Sequence, residues 1–468
     1  MRKEILFVIF GVLCSSVKSF FKPIKVTSFP IPKSYLPRPL MLSPLLEKGK
    51  YKEAQQLSRV KPDIGNITSY SGFFTVNKKC DSNLYFWFFP AQKDNWKEAP
   101  LLLWLQGGPG STSMYGLFEE LGPFESYPDG LKKREYSWNV KNNLLIIDQP
   151  VGVGYSFTGK SCYPQNETAV GEDLYQAMVQ FHELFPFFQQ GKFFISGESY
   201  AGHYIPALGR TIHKHNPSAK VKINLVAMLI GDGWSDPVSQ IDYGSYLYQT
   251  GFIDYTARNI YKSYQDKFVQ EVAEQDWADA SVTCDALTGT LYDRYVGNEV
   301  SVYNYLPQPS QEPQNWQKFI QTSKIRKALH VGNLPFQSGH AAYDALLYDT
   351  VQSVKPWVEE LLEVYPIIFY NGQVDIICPY PTIINFLRSL SWSGQDHYLF
   401  ATRSQWCVGQ ELAGYYKGVN NLYDVLVRDA GHMVPADQPL WAYTLVNSIT
   451  SGTPDNPLHA PTLLSTLS

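Results

Sequence analysis

The chain has 468 residues, 44% of them hydrophobic and 18% charged, which supplies a large core and excludes a disordered or collagen-like polymer. Its 39 Lys+Arg against 43 Asp+Glu leave a net charge of -4, so no basic surplus draws it to nucleic acid or to an anionic membrane.

In chain order, Arg2 and Lys3 precede an apolar run from Ile5 to Cys14 and small residues at Ser15, Ser16 and Ser19. This is the layout of a secretory signal peptide, and residues 1–19 are set apart from the fold. The run is shorter than the ~20 residues a bilayer span needs, and no later segment is long enough, so no membrane span is expected. Residues 20–65, rich in Pro and Lys, read as an extended lead-in with one short helix near Tyr51 to Leu57 and nothing catalytic in view. Sequons at Asn66 and Asn166 mark glycosylation sites and fit an exported chain. Without Cys14 the cysteines are Cys80, Cys162, Cys284, Cys378 and Cys407, an odd number that leaves at least one thiol unpaired in an oxidising compartment.

Short apolar or alternating runs at Gly72 to Val76, Leu84 to Phe89, Leu101 to Leu105, Leu144 to Asp148, Phe193 to Ser196, Leu225 to Ile230 and Ile367 to Tyr370 predict strands. Helical periods at Val170 to Phe185, Tyr200 to Lys214 and Thr350 to Val364 fall between several of them. Alternation of this kind defines an α/β class with a mostly parallel sheet. Residues 238–330 break the rhythm with a charged helical segment from Tyr255 to Ala280 and a Pro/Gln-rich stretch near Pro307 to Trp316. They are assigned to a helical cap inserted into a core made of residues 66–237 and 331–468.

The predicted strand ending at Ser196 runs into Gly197-Glu198-Ser199-Tyr200-Ala201-Gly202 and then a helical pattern. Small residues let such a chain turn sharply and expose a serine hydroxyl at the sheet's edge, a nucleophile elbow altered here to Gly-x-Ser-x-Ala. Serine needs an imidazole to take its proton, and the imidazolium needs a carboxylate. On this scaffold both follow the serine, each after a strand. Asp375 follows Ile367 to Tyr370, and His432 follows Leu422 to Val427 within Gly431-His432-Met433-Val434-Pro435. Trp104-Leu105-Gln106-Gly107-Gly108-Pro109-Gly110 follows another strand, where backbone amides can meet developing negative charge; the amides of Gly108 and Tyr200 are assigned to that oxyanion hole.

These motifs, together with Ser137-Trp138-Asn139, Asp148 to Gly154 and Gly231-Asp232-Gly233, resemble the serine carboxypeptidase family over roughly Tyr70 to Leu445, and most closely its vitellogenic-like branch. The resemblance implies an α/β-hydrolase fold with a cap, the Ser199, Asp375 and His432 triad, and a site for the substrate's carboxylate on Trp104, Gln106, the Gly107 amide, Glu120 and Glu198. Two carboxyls sharing a proton can offer a neutral donor to that carboxylate. Activity is therefore expected to be best at about pH 4.5 to 6, because binding weakens as the shared proton is lost. The resemblance further implies Tyr115 and Met433 in the pocket for the departing amino acid, Glu119 near it, and Cys378 as the free thiol; the remaining four cysteines allow three pairings if all are bridged. Gln106 stands where many relatives have Asn, a longer arm with the same amide. Ser111-Thr112 replaces a Cys-Ser, so a disulfide common in relatives is absent and a looser cap is expected.

Peptide or protein C-termini are thus the expected substrates, in a secreted or lysosome-like compartment, with a homodimer left open as the assembly. The alternatives are an acyltransferase on the same scaffold, since an acyl-serine can be intercepted by an alcohol or amine, and a non-catalytic storage or binding protein. Gly154 to Ser161 satisfies the P-loop pattern, yet Cys162-Tyr163-Pro164 follows where a helix should start. No His-Glu-x-x-His or clustered Cys/His pattern points to a metal, and no cofactor is expected.

Overall fold

The apolar runs pair into one eleven-stranded sheet in a computed structural model that describes residues 21–452 except 28, 34–35, 129 and 308–314. The expected signal segment and much of the Pro/Gln-rich stretch lie outside the described residues. Ten strands run along the sheet: β1 (Tyr70–Asn77), β2 (Ser82–Phe89), β3 (Leu101–Leu105), β4 (Asn143–Asp148), β5 (Phe193–Glu198), β6 (Leu225–Gly231), β7 (Ile367–Gly372), β8 (Ser404–Val408), β9 (Glu411–Val419) and β10 (Leu422–Val427). Their spatial order is β1-β2-β4-β3-β5-β6-β7-β10-β9-β8, and Phe157–Thr158 pairs with β2 as the eleventh. From β4 to β10 every pairing is parallel, and antiparallel strands close both edges.

The central strands are buried along their whole length, as expected for parallel strands covered on both faces. Helix α1 (Glu167–Leu184) starts where the Asn166 side chain accepts the Ala169 amide at 3.0 Å, which satisfies one of the otherwise orphaned N–H groups of the first turn. It packs against α2 (Ala201–His215), which leaves β5 directly after the serine turn. The helix expected over Thr350 to Val364 is shorter, Lys355–Leu362. Pro356 in its first turn fixes the start, because proline fits there and disfavours helix before it.

Between β6 and β7 the regular structure among the described residues is helical apart from the two-residue strand Gln337–Ser338, and includes Tyr243–Gln249, Tyr255–Ala273 and Trp277–Asp285. Within this insertion the extended stretch Val302 to Tyr305 returns to the end of the sheet. There the Val302 carbonyl accepts the Ile376 and Ile377 amides at 3.0 Å, and the Tyr303 carbonyl accepts the His432 amide at 2.6 Å. The P-loop-like segment has no helix after Ser161, since α1 starts at Glu167 and Cys162 is bonded to Cys80. Among the described residues Cys284, Cys378 and Cys407 are free, so only one of the expected bridges is present. Cys284 sits on a cap helix and Cys407 on an edge strand. No helix among the described residues is long and apolar enough to cross a membrane.

Candidate active site

Ser199 sits between β5 and α2 with φ of 62°, a left-handed conformation that costs energy for a non-glycine residue and persists only where neighbours enforce it. Here they do: the Ser199 amide donates to the Gly231 carbonyl at 2.9 Å, and its carbonyl accepts from Gly202 at 2.9 Å and Trp234 at 3.0 Å. The turn is thereby locked to the ends of β6 and α2.

Asp375 and His432 lie on the loops after β7 and β10, neighbours in the sheet. His432 Nδ1 and Asp375 Oδ2 are 2.8 Å apart, and Asp375 Oδ1 accepts the amides of Ile377 at 2.8 Å and Cys378 at 3.2 Å. With Nδ1–H committed to Asp375, the other ring nitrogen carries the lone pair. That Nε2 is buried without a hydrogen-bond partner among the described residues, and His432 and Ser199 line one cavity of about 310 Å³.

The loop after β3 runs beside the serine turn. A Cβ added at Gly107 would lie 2.5 Å from the Tyr200 nitrogen and 2.7 Å from the Glu198 carbonyl oxygen, so only glycine allows this approach. The amides of Gly108 and Tyr200 thus belong to two segments in contact. The Trp104 indole donates to Gln106 Oε1 at 3.0 Å, which turns the Gln106 Nε2 toward Glu198 Oε1 at 2.6 Å and Glu120 Oε1 at 3.3 Å. Burial pushes the Glu120 carboxyl up to about 7 and raises Glu198 well above the usual range, the latter reinforced by the charge of Glu120. The two carboxyls lie within hydrogen-bonding reach of each other, and the Oε2 of each is buried with no N–H donor among the described residues, so a proton held there belongs to the pair rather than to either residue.

Tyr115, Met433, Gln106 and Glu198 line the cavity with the serine. Glu119 does not: burial raises its carboxyl, and its neighbours are Arg134 and the Trp316 indole. Adjacent residues on one helical turn, Gly116–Leu121, point in different directions, so with Glu120 turned to Gln106, Glu119 faces elsewhere.

Sequence reasoning missed two walls of the cavity. Lys22 to Lys25 of the lead-in form one, with the Ile24 amide donating to Ser111 Oγ at 2.9 Å and Phe21 against Trp234 at 4.5 Å between ring centroids. Tyr303 and Asn304 of the insertion form the other; a Cβ at Gly431 would lie 2.1 Å from the Tyr303 carbonyl oxygen, and Asn304 donates to Asp437 Oδ2 at 2.8 Å. Neither segment has a periodic pattern to betray it. The loop carrying Ser111 and Thr112 is tied down by hydrogen bonds, to Ile24 and from Thr112 to Asp148.

Asn66 and Asn166 are both exposed. Cys378 is free and buried, with its sulfur within 4.8 Å of ligand atoms of Asp375 and His432.

A mostly parallel sheet with a serine on a strained strand-to-helix turn, followed in sequence by an aspartate and a histidine on later strand ends, is the arrangement of the α/β hydrolases. Residues 61–452 match the family model described as serine carboxypeptidase, and the chain belongs to that family and is a serine-type carboxypeptidase. It is 46% identical to the venom serine carboxypeptidase of Apis mellifera over 88% of this chain and 91% of that one. It is 42% identical to the vitellogenic carboxypeptidase of Aedes aegypti, over 88% and 90%. Among solved structures it is similar to the prohormone-processing carboxypeptidase Kex1 of Saccharomyces cerevisiae, with TM-score 0.73 and 25% identity over 84% of this chain and 95% of that one.

Proposed function

We propose that Ser199 is the nucleophile, His432 the general base and Asp375 its orienting carboxylate in the release of single amino acids from peptide C-termini at acidic pH. Ser199 Oγ attacks the last peptide carbonyl while its proton passes to His432 Nε2. The oxyanion is met by the Gly108 and Tyr200 amides, and the C–N bond breaks as His432 returns the proton to the leaving amino group. Water then repeats the sequence on the acyl-serine and restores the enzyme.

The observation that carries this reading is the carboxyl pair Glu120 and Glu198 held by Gln106, with Gln106 and Glu198 lining the cavity that also holds Ser199. With one proton and the Gln106 and Gly107 N–H groups, that cluster offers donors to a terminal carboxylate; doubly ionised, it repels one. Trp104 serves by turning Gln106. An acyltransferase or a binding protein has no such need for a carboxylate clamp beside the nucleophile. The optimum is expected at about pH 4.5 to 6, below the loss of the shared proton.

The leader at residues 1–19, the Cys80–Cys162 disulfide and exposed Asn66 and Asn166 support a glycosylated protein of the secretory pathway, delivered outside the cell or to a lysosome-like compartment. A homodimer remains an open assembly, to be read by light scattering.

The test compares wild type with Ser199→Ala on an N-blocked dipeptide and on its C-terminal amide, following amino-acid release from about pH 4 to 8. Cleavage of the free acid alone, at acid pH and by wild type only, supports the reading. Equal cleavage of the amide sinks the clamp, and activity in Ser199→Ala sinks the nucleophile.

A further inference from the structure

A second pair of buried carboxyls lies behind the catalytic histidine. Asp232 follows β6 with φ of 45°, fully buried, and its amide donates to the Tyr370 carbonyl at 2.8 Å. Its Oδ1 accepts the Gly372 amide at 2.8 Å and Asn371 Nδ2 at 3.1 Å. Every N–H donor it receives goes to that one oxygen. Its Oδ2 is buried without a hydrogen-bond partner among the described residues, and the Asp375 carboxyl lies beside the Asp232 carboxyl, within hydrogen-bonding reach of it.

Asp375 is already an acceptor on both oxygens, from His432 on one and from two amides on the other. Two carboxylates cannot sit in contact, both out of water, with only N–H donors turned to their far sides; one of the pair must carry a proton. Asp375 already accepts three N–H donors, which an ionised carboxylate serves, and keeps one lone-pair direction for a further donor, so the proton falls to Asp232.

We propose that Asp232 is a positioning residue whose neutral Oδ2–H donates to the Asp375 carboxylate, fixing the carboxylate that orients His432. The inference rests on the reading of Ser199, His432 and Asp375 as the triad. The titratable groups facing Asp232 are Asp375 and, behind it, His432, with Asp437 on the histidine loop, Glu198 before the serine, and Tyr370 and Cys378 on β7 and its loop. Asp375, Asp437 and Glu198 oppose ionisation of Asp232 when they are charged, while Tyr370 and Cys378, themselves raised by burial, stay neutral and offer no cation. The Asp232 carboxyl is held well above the ordinary range by burial first and Asp375 second. When it does ionise, its proton leaves the contact to Asp375, and a second negative charge beside Asp375 holds His432 protonated, unable to act as a base.

The experiment measures the rate at which Ser199 is modified by a small fluorophosphonate, a probe without a carboxylate and so indifferent to Glu120 and Glu198, from about pH 5 to 10. Wild type, Asp232→Asn and Asp232→Ala are compared, with Ser199→Ala as the control and circular dichroism to show folding. Asn keeps an N–H toward Asp375 and an oxygen toward Gly372 and does not titrate. It should react within about threefold of wild type at pH 5 and keep its rate where wild type declines at alkaline pH. Ala strands three buried groups and should be slower by about ten- to hundredfold throughout. Superimposable alkaline limbs for wild type and Asp232→Asn would overturn the inference, as would an Asn variant as slow as folded Ala at pH 5, which would mean that the carboxyl acts as an ion. Labelling of Ser199→Ala would instead overturn the triad itself.

Discussion

Replacing both members of the proposed clamp, Glu120→Gln with Glu198→Gln, separates recognition of the terminal carboxylate from the chemistry proposed for Ser199. In the wild type burial raises both carboxyls, Glu120 to about 7, and the charge of Glu120 raises Glu198 further, so the shared proton is the last of the pair to leave and is lost only as pH rises above that value. A substrate carboxylate that then meets a second anion at about 4 Å, with an effective dielectric of about 20, loses about 4 kcal/mol. Because one proton gates binding, KM for the free acid should climb about tenfold per pH unit above that point. Two glutamines keep N–H donors, cannot titrate, and forgo a hydrogen bond between charged partners worth roughly 1.5–3 kcal/mol. At pH 5 the double variant should therefore show KM raised about ten- to hundredfold with kcat nearly unchanged, and a flat KM up to about pH 8. The assay is steady-state release from an N-blocked dipeptide, with its amide as control. A KM in the double variant that still climbs with pH, or an amide whose KM climbs like the acid's, refutes the assignment of the proton to this pair.

Thermal stability should depend on pH through the same kind of group. Burial raises Glu120, and raises Asp148 to about 6; such groups favour the fold fully below their unfolded values and lose that contribution as pH rises through the folded ones. Burial lowers His182 to about 4, and its contribution, present above the unfolded value, is lost as pH falls through the folded one. Raised carboxyls outnumber lowered histidines, so calorimetry should find a higher Tm at pH 5 than at pH 8; the reverse order would show that these carboxyls are hydrated. Gly107→Ala, whose Cβ would lie 2.5 Å from the Tyr200 nitrogen, should cost at least about a hundredfold in kcat/KM in a protein that still folds, because it separates the two halves of the oxyanion hole. Near-normal kcat/KM would remove Gly108 from that hole. Glu119→Val should leave preference among C-terminal residues unchanged, measured on basic against apolar dipeptides, since Glu119 faces Arg134 and Trp316.

The parts of the site written as strand ends were legible in the sequence. A wholly apolar run such as Leu101 to Leu105 has no other place than the middle of a covered sheet, and Ser199, Asp375 and His432 each follow a short, mostly apolar run of strand length. What was not legible depends on helix phase or on chain without a period. Glu119 and Glu120 are adjacent acids on one turn, and only the packed turn says which meets Gln106. Lys22 to Lys25 and the stretch with Tyr303 and Asn304 have no regular structure to predict, yet both wall the cavity: Ser111 Oγ holds the Ile24 amide, and the Val302 and Tyr303 carbonyls meet backbone amides of the Asp375 and His432 loops. Cys284 and Cys407 looked available for pairing, and separate elements hold them.

Three pairs of buried carboxyls surround the serine turn, and their positions tie the pH dependence of folding to the one proposed for recognition. Glu198 immediately precedes the nucleophile and faces Glu120, while Asp232 ends the next strand and faces Asp375. On the other side of the turn, the Tyr200 hydroxyl donates to Asp349 at 3.1 Å with Glu167 beside it, and the Tyr200 ring stacks on His203 at 4.5 Å. Burial is the first cause of every raised carboxyl among these six, and a like charge is the second for Glu167, Glu198 and Asp232. A rise in pH therefore adds negative charge beside the Tyr200 hydroxyl, beside the support of the base and in the proposed clamp together, and the charge of Arg134 on Glu120 is too small a cause to reverse the effect of burial there. The three effects separate by readout: the clamp moves KM of free acids alone, Asp232 moves the rate of serine modification by a probe without a carboxylate, and Glu167 with Asp349 moves Tm. If all three fell together in one cooperative step, the loss of activity would be unfolding, and the local account of each pair would fail at once.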